Sequence, residues 1–375
     1  MRKDWEYKKL KDICSFVGDG DWIESKDQSN AGLRLIQTGN IGNGIFHDKA
    51  EKAKYISEST FIELSCTEIF HGDCLLSRLP DPIGRSCILP QLNERAITAV
   101  DCTILRFTNK IYPTFFVYYT LSTPYAISII SKTTGSTRKR ISRKNLEGIL
   151  IPIPPKPTQL AIVAELDKIN ELIQLKKQQL KDYDQLAQSI FYEMFGDPVE
   201  NEKGWEVKKL GDLCTIFAGG DKPNDTRQFL DEEYKYPVIA NGDGNKGVLG
   251  YTKNCKVKED AVTIGARGAS IGNCRIVKNG FTPAVRLLTL IPGAFLNCNY
   301  LFYIVKGLDY KQNGAGQAQL TVPNIKIETV PLPPLPLQQQ FAARIEAIER
   351  QKQQVSETIK DLETLLASRM QYWFD

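Results

Sequence analysis

The feature that most constrains the fold of this chain is an internal repeat. The segment Trp5–Cys14 (WEYKKLKDIC) recurs as Trp205–Cys214 (WEVKKLGDLC), and seven of the ten positions are identical. A second segment, Ile151–Pro157 (IPIPPKP), recurs as Val330–Pro336 (VPLPPLP) with all four prolines in place. Two matches in the same order predict a chain that is built from two homologous halves.

Each half is predicted to consist of a globular part followed by a long helix. Short apolar runs such as Thr103–Phe107 and Ala261–Ile264, separated by Gly, Asn and Thr, are typical of strands and turns. Because proline lacks the amide hydrogen that a helix requires, each Pro-rich segment should close a globular part. The predicted domain, helix, domain and helix are residues 1–157, 158–196, 197–336 and 337–375.

Both long segments after the prolines carry a heptad pattern. Apolar residues recur at alternating steps of four and three, in register between the halves, with Lys176 and Lys352 as polar interruptions. This stripe is narrower than that of an ordinary surface helix, so it favours two helices packed on each other over helices packed only on their own domains. A pseudo-twofold relation between the halves would make the pair antiparallel. The predicted seam residues are Ile162, Leu166, Ile169, Ile173, Leu180, Tyr183, Ile190, Phe341, Ile345, Ile348, Val355, Ile359, Leu362 and Leu366.

The composition is that of an ordinary globular protein. The net charge of +4 comes from 48 basic and 44 acidic side chains, so a nucleic-acid partner has to be argued from local clusters. The nine cysteines include no C-x-x-C pair, and we expect reduced thiols in a cytoplasmic protein. No apolar run is long enough to cross a membrane, and two histidines are few for a metal site or a catalytic triad.

The densest cluster of charge is basic. Five basic residues fall within positions 138–144, and such density favours an anionic partner such as a phosphate backbone; a solvated loop is the alternative. At the corresponding positions of the second half, Gln317 and Gln319 replace basic residues. Since arginine pairs with guanine and glutamine with adenine in the major groove, the exchange predicts two modules that read different sequences.

Weaker candidates lie where apolar strands run into polar turns. The turns after Leu35 and Tyr236 are rich in Gly and Asn, and Arg78 and Arg267 each follow a strand. These two arginines are expected either to approach DNA or to fix a loop through a carboxylate. The predicted DNA-binding residues are Gln37, Thr38, Asn40, Arg78, Arg85, Arg138, Lys139, Arg140, Arg143, Lys144, Asn241, Asn245, Lys246, Arg267, Gln317 and Gln319.

The sequence offers no motif for a catalytic centre. It contains no P-loop, H-E-x-x-H or G-x-S-x-G, and no Asn-Pro-Pro-aromatic tetrapeptide of the kind that amino-methyltransferases use. Gly242, Gly244 and Gly247 form a G-x-G-x-x-G pattern, but strand-like Val248–Thr252 follows where a dinucleotide site needs a helix, so a hairpin loop is predicted. We expect no catalytic residue, metal ion or cofactor in this chain.

These features together resemble the specificity subunits of type I restriction–modification systems. The resemblance covers essentially the whole chain and is most specific at Ile151–Gln159, Val330–Gln338, Asp260–Gly272, Gly135–Ser142 and Gly314–Thr321. It implies an α+β fold: two homologous mixed α/β target-recognition domains separated by a long antiparallel two-helix coiled coil. It also implies that each domain reads one half of a bipartite asymmetric site in double-stranded DNA, while the helices fix the spacer.

The resemblance further implies protein partners. Two methyltransferase subunits would dock on the helices and bring S-adenosylmethionine to methylate adenine at N6, and ATP-dependent restriction subunits, with ATP and Mg²⁺, would join where present. This chain would itself be non-catalytic. Two alternatives stay open: a coiled-coil adaptor that binds only protein, and the recognition part of a fused restriction–methylation enzyme.

Overall fold

The computed structural model describes residues 5–135, 139–242, 247–308, 310 and 319–375. The chain divides into two units: unit 1 comprises residues 1–175 and 358–375, and unit 2 comprises residues 176–357. This division differs from the four consecutive segments predicted from the sequence. Each long helix contributes one half to unit 1 and the other half to unit 2.

Unit 1 combines short strands with four short α-helices besides its share of the long ones. The helices are α1 (Glu58–Glu63), α2 (Pro113–Thr120), α3 (Thr123–Ser131) and α4 (Arg143–Glu147), of which α1 has a single turn and a half. The strands are β1 (Glu6–Lys9), β2 (Cys14–Asp19), β3 (Gln28–Ser29), β4 (Leu33–Ile36), β5 (Lys54–Ile56), β6 (Glu68–Ile69), β7 (Cys74–Ser77), β8 (Ser86–Ile88), β9 (Ala96–Thr98), β10 (Cys102–Phe107) and β11 (Leu150–Ile153).

The strands of unit 1 form three sheets, with orders β1-β11, β2-β10-β7-β8 and β3-β5-β4-β9-β6. Among the described strands of these sheets, β4 and β9 pair in parallel, and the other neighbouring strands pair antiparallel. The four-stranded sheet and helices α2 and α3 enclose a core that includes Leu105, Phe115, Phe116 and Tyr125. This sheet is the framework that positions most of the candidate residues in unit 1.

Unit 2 repeats the two-stranded and four-stranded sheets of unit 1. Its short helices are α6 (Leu210–Leu213), α7 (Cys298–Gly307) and α8 (Val322–Ile327), and α5 (Lys156–Phe195) and α9 (Leu335–Phe374) are the long helices that both units share. Its strands are β12 (Val207–Lys209), β13 (Cys214–Ala218), β14 (Tyr236–Ile239), β15 (Val248–Thr252), β16 (Ala261–Ile264), β17 (Cys274–Val277), β18 (Thr282–Pro283), β19 (Leu288–Pro292) and β20 (Thr329–Pro331).

The sheets of unit 2 have the orders β12-β20, β13-β19-β16-β17 and β15-β14-β18. Strands β14 and β15 pair antiparallel, which confirms the hairpin predicted at the G-x-G-x-x-G pattern. The two-stranded sheets explain why the two sequence matches recur together. The first repeated segment pairs with the second in each unit, Tyr7 opposite Pro152 and Lys208 opposite Val330.

The long helices begin slightly earlier than predicted, because Pro157 and Pro336 lie within their first turns. Proline is tolerated there, since the first amides of a helix have no intrahelical acceptor. In unit 1, Glu165 of α5 accepts hydrogen bonds from Arg369 and Trp373 of α9. In unit 2, the Nζ atom of Lys352 on α9 lies 2.8 Å from Oδ1 of Asp184 on α5.

All the predicted seam residues are buried or half-buried. Near the globular parts the buried stripe is wider than two in seven, because Val163, Phe191, Phe195 and Ala342 are also buried. Those additional residues belong to the part of each helix that packs on sheet and short-helix residues of its unit. Packing of the long helices on their own units is therefore observed, whereas the coiled-coil seam between them stays a prediction.

The nine cysteines are all free thiols, and five of them are buried. Burial raises the pKa of eight of these thiols, and that of Cys14, for example, is raised to about 12. Such thiols are poor nucleophiles at neutral pH, because the reactive form is the thiolate.

Candidate nucleic-acid interface

Arg78 directly follows strand β7, and its side chain lies in the interior of unit 1. Its side chain is 4% exposed, its Nη2 atom donates a 2.6 Å hydrogen bond to the carbonyl of Val100, and it lies 3.4 Å from Oδ2 of Asp19. Oδ1 of Asp101 lies 3.9 Å from the same nitrogen. The structure therefore corrects the prediction that Arg78 contacts DNA: the strand end delivers this guanidinium into an internal ion cluster.

Arg85 is also taken out of the candidate interface. Its guanidinium is buried and donates hydrogen bonds of 2.6–2.9 Å to the carbonyls of Thr38, Ile41, Leu79 and Pro82. Burial lowers the pKa of this group, because a charged guanidinium loses its hydration there. All the contacts are to backbone atoms, so Arg85 fixes two loops against each other and has no donor directed at DNA.

The turn after β4 keeps two of its three predicted residues near the surface. Asn40 is buried; its Oδ1 accepts a 2.9 Å hydrogen bond from the amide of Gln37, and its Nδ2 donates to the carbonyl of His47. Asn40 therefore shapes the turn, which corrects its predicted contact with DNA. Gln37 and Thr38 are half-buried and remain candidates for contact.

Three lysines that the sequence reasoning missed lie beside this turn. Lys49, Lys52 and Lys54 are exposed and, with the turn, line a cavity of about 220 Å³. They come from a segment that precedes and enters β5, and their spacing in the sequence resembles an ordinary solvated surface. Their approach to Gln37 and Thr38 depends on the pairing of β4 with β5, which the local sequence does not reveal.

The predicted basic cluster lies on the surface, partly neutralised by acids. Arg140 and Arg143 are each 49% exposed; Nη2 of Arg140 lies 3.2 Å from Oδ1 of Asp101, and Arg143 lies 3.8 Å from Asp19. Arg143 is also 3.3 Å from Glu147, one turn further along α4. Lys139 and Lys144 are exposed as well, whereas Arg138 lies outside the described residues. The sequence showed the arginines, but not the aspartates that distant strands bring to them.

The corresponding surface of unit 2 consists of Arg267 and Gln319. Their backbones form an isolated antiparallel bridge, both side chains are exposed, and Nη2 of Arg267 donates a 3.2 Å hydrogen bond to Oε1 of Gln319. Arg140 also stands in an isolated antiparallel bridge, but its partner is the nearby Thr134. From related backbone positions, unit 1 therefore presents an arginine paired with an aspartate, and unit 2 presents an arginine–glutamine pair that keeps its positive charge.

Asn241 acts as a backbone connector in unit 2. Its Oδ1 accepts a 2.8 Å hydrogen bond from the amide of Ala266, and its Nδ2 donates to the carbonyl of Val285 at 2.8 Å. Each functional group of the half-buried amide makes one of these bonds, so Asn241 connects backbone segments, and its predicted contact with DNA stays a prediction. Asn245, Lys246 and Gln317 lie outside the described residues.

One further difference between the units concerns the buried arginine. The carbonyl of Arg78 accepts a hydrogen bond from the amide of Ile141, and the carbonyl of Ala266 accepts one from Leu320. These pairs identify Ala266 as the structural counterpart of Arg78. The pattern that seemed shared in the sequence, a strand followed by an arginine, therefore places Arg78 inside unit 1 and Arg267 on the surface of unit 2.

Within the described part of the chain, no three His, Cys, Asp or Glu side chains are grouped so that they would hold a metal ion. The described helices include none with the length and apolar character that crossing a bilayer requires.

Comparison with known proteins decides the family. Residues 2–182 and 202–364 match the family model described as the type I restriction modification DNA specificity domain. The chain belongs to this family. It is accordingly a DNA-recognition subunit of the type I restriction–modification class, and the double match agrees with the two homologous halves. The protein-only adaptor and the fused enzyme are not favoured.

Similar proteins carry the same designation. A protein of Mycoplasma pneumoniae, provisionally named type I specificity subunit S.MpnORF507P, is 32% identical over 262 residues, which cover 68% of this chain and 70% of that protein. The type I restriction enzyme MjaIX specificity subunit of Methanocaldococcus jannaschii is 26% identical over 400 residues, covering 92% of this chain and 87% of its own length.

Solved structures show the same fold at lower identity. The S subunit of a type I restriction–modification system from M. genitalium matches with a TM-score of 0.58 and 14% identity, covering 99% of this chain and 96% of that chain. A chain from a structural study of assembly and conformational transition in a type I system matches with a TM-score of 0.61 and 19% identity, covering 100% of this chain and 98% of that one.

Proposed function

We propose that each unit reads one half of a bipartite, asymmetric target in double-stranded DNA. The observation that carries this proposal is the exchange at one repeated backbone position, where Arg140 of unit 1 is replaced by Gln319 of unit 2. Arginine pairs best with guanine and glutamine with adenine, so the exchange suits modules with different targets. The remaining candidates among the described residues are Gln37, Thr38, Lys139, Arg143, Lys144, Asn241 and Arg267.

The long helices fix the spacer between the half-sites in this proposal. Each has 40 residues, or about 60 Å at 1.5 Å per residue, and each belongs to both units. The contacts of Glu165 with Arg369 and of Asp184 with Lys352 support an antiparallel pair, because a later residue on α5 meets an earlier residue on α9. The predicted coiled-coil seam is consistent with this arrangement.

Partner subunits supply the chemistry. Two methyltransferase subunits dock on the helices and bring S-adenosylmethionine, and restriction subunits, where present, bring ATP and Mg²⁺. The chain itself is non-catalytic in this proposal. It is supported by the family assignment and by the absence of catalytic motifs from the sequence.

The experiment is genome-wide mapping of N6-methyladenine in the source strain with and without this gene. We expect one asymmetric motif, two short half-sites around a fixed gap, to lose its methylation when the gene is deleted and to regain it on complementation. Unchanged methylation, despite expression of a methyltransferase partner that copurifies with this chain, would contradict the proposed function.

A further inference from the structure

The internal ion cluster of unit 1 has two layers. The inner layer is the buried guanidinium of Arg78, whose Nη2 atom lies 3.4 Å from Asp19 and 3.9 Å from Asp101. The outer layer is Arg140, 3.2 Å from Asp101, and Arg143, 3.8 Å from Asp19. Each aspartate therefore stands between an arginine in the interior and an arginine at the surface.

Burial separates the tasks of these groups. Arg78 is 4% exposed, the two aspartates are about one quarter exposed, and Arg140 and Arg143 are 49% exposed. The inner guanidinium holds both carboxylates in place, because a buried charge without a partner is strongly unfavourable. Each carboxylate in turn attracts one outer guanidinium as an ion partner, without a hydrogen bond at Oδ1 of Asp101. A guanidinium carries five donors in a rigid plane, so donors remain for a ligand.

We propose that Asp101 and Asp19 are positioning residues through which unit 1 discriminates between DNA sequences. This inference rests on the proposed function. A held guanidinium presents its remaining donors in one orientation, which suits the bidentate acceptor pair of guanine. The same carboxylates repel DNA that does not engage the arginines, so they weaken binding to other sequences. Loss of a carboxylate therefore strengthens non-specific binding and weakens selectivity.

Unit 2 provides an internal reference. Its surface arginine, Arg267, is hydrogen-bonded to the neutral side chain of Gln319, and Ala266 stands where unit 1 has the buried Arg78. The proposed effect of the aspartates is accordingly confined to one half-site. A change of selectivity at both half-sites would have to arise from general electrostatics or from damage to the fold.

The experiment compares Asp101→Asn with the unaltered subunit, each full-length and assembled with its methyltransferase subunits. The probes are a fluorescent duplex with the motif found by methylation mapping and two duplexes in which one half-site is scrambled. Dissociation constants are measured by anisotropy at several salt concentrations. One of the scrambled duplexes carries its change in the half-site that Arg140→Ala relaxes. For Asp101→Asn, we expect the preference for the intact motif over that duplex to fall about tenfold. The preference at the other half-site should not change.

The matched control is Glu63→Gln on the exposed surface of α1, which removes the same charge and forms no ion pair with Arg140 or Arg143 among the described contacts. An equal loss of preference in the control, or an equal loss at both half-sites, would overturn the inference. Asp19→Asn serves as a second variant should Asp101→Asn fail to give a cooperative thermal transition.

A double variant tests whether Asp101 acts through Arg140. In an Arg140→Gln background, Asp101→Asn should cause no further loss of preference, because the group that it orients is gone. A full additional tenfold loss would contradict a positioning role. If the unaltered complex prefers neither half-site, the proposed function itself fails; if it discriminates and Asp101→Asn discriminates equally, only the present inference fails.

Discussion

At the residue scale, two buried glutamines hold the starts of the long helices. Gln159 accepts a 2.7 Å hydrogen bond from the amide of Tyr112 and donates to the carbonyls of Lys110 and Pro154. Gln338 makes the equivalent contacts with Asn297, Phe295 and Pro333. The repeat marked these junctions, but the role of the glutamines could not be predicted. For each glutamine, two of the three hydrogen bonds reach residues more than forty positions away in the sequence.

We expect Gln338→Leu to lower the free energy of unfolding by about 2–4 kcal/mol, because it removes the partner of three backbone groups, one in a buried and two in partly buried hydrogen bonds. Its neighbour Gln339 is exposed, so Gln339→Leu is a matched control that should change stability little. Urea denaturation followed by circular dichroism measures both. Equal midpoints for the two variants would show that the hydrogen bonds of Gln338 contribute nothing.

The carboxylate of Glu165 makes the stability of unit 1 depend on pH. Hydrogen bonds from Arg369 and, more weakly, Trp373 hold the pKa of Glu165 below its ordinary value. Its contacts therefore contribute stability at neutral pH that is lost as pH falls through the folded-state pKa. Glu165→Gln should reduce the drop in urea midpoint between neutral pH and about pH 3, an effect of about 1 kcal/mol or less at this partly exposed site.

The control for this titration is Glu171→Gln, also on α5 but with a more exposed carboxylate whose nearest cation is on the same helix. If Glu165→Gln left the acid-induced decrease in urea midpoint unchanged, or if the control changed that decrease equally, the assigned role of Glu165 would be contradicted.

Candidate DNA contacts were only partly predictable for a physical reason. The sequence identified exposed Arg140 and Arg143 through local charge, and exposed Arg267 through a strand that runs into a turn. It could not separate them from Arg78 and Arg85, because burial of an arginine depends on acceptors that other strands and loops supply.

At the element scale, the heptad pattern predicted which faces of the long helices are buried. Periodicity is a local property that does not depend on knowledge of the partner, so the buried positions could be predicted residue by residue, while the seam itself stays a prediction. The wider buried stripe at Phe191 and Phe195 could not be assigned a partner, because it packs on α7 and on the start of α9. The aspartates beside the basic cluster were missed for the same reason.

Adjacent residues on α5 test the seam. Ile173 is 3% exposed, whereas Leu172 is exposed, so Ile173→Asp places a charge in the seam and Leu172→Asp places one at the surface. We expect Ile173→Asp to cost about 3–5 kcal/mol and Leu172→Asp to cost about 1 kcal/mol or less. The free energy of unfolding measured in urea distinguishes them. Comparable losses would contradict burial of this face by helix packing.

At the scale of the whole molecule, the repeat predicted two homologous halves but not how the long helices are divided. The predicted boundaries assign each helix to one half, whereas each unit contains part of both helices. A repeat identifies equivalent segments without saying which copy a segment packs against, so this exchange could not be predicted from the sequence.

Inserting one heptad into each long helix, at positions that face each other in an antiparallel pair, tests the spacer function. Seven residues add about 10 Å of helix, which corresponds to about three base pairs at 3.4 Å each. We expect methylation to move to a motif with unchanged half-sites and a gap about three base pairs longer. A control insertion in the exposed turn around Gly204 should leave the gap unchanged, and an unchanged gap after helix insertion would contradict the proposed spacer role.

The most direct test of the account as a whole is methylation mapping in strains that carry Arg140→Ala or Gln319→Ala as the only specificity subunit. The account predicts that each variant relaxes a different half-site by about 1–3 kcal/mol of base discrimination and leaves the other half-site and the gap intact. If either variant relaxed both half-sites, or if both relaxed the same one, the two units would not be independent readers of DNA.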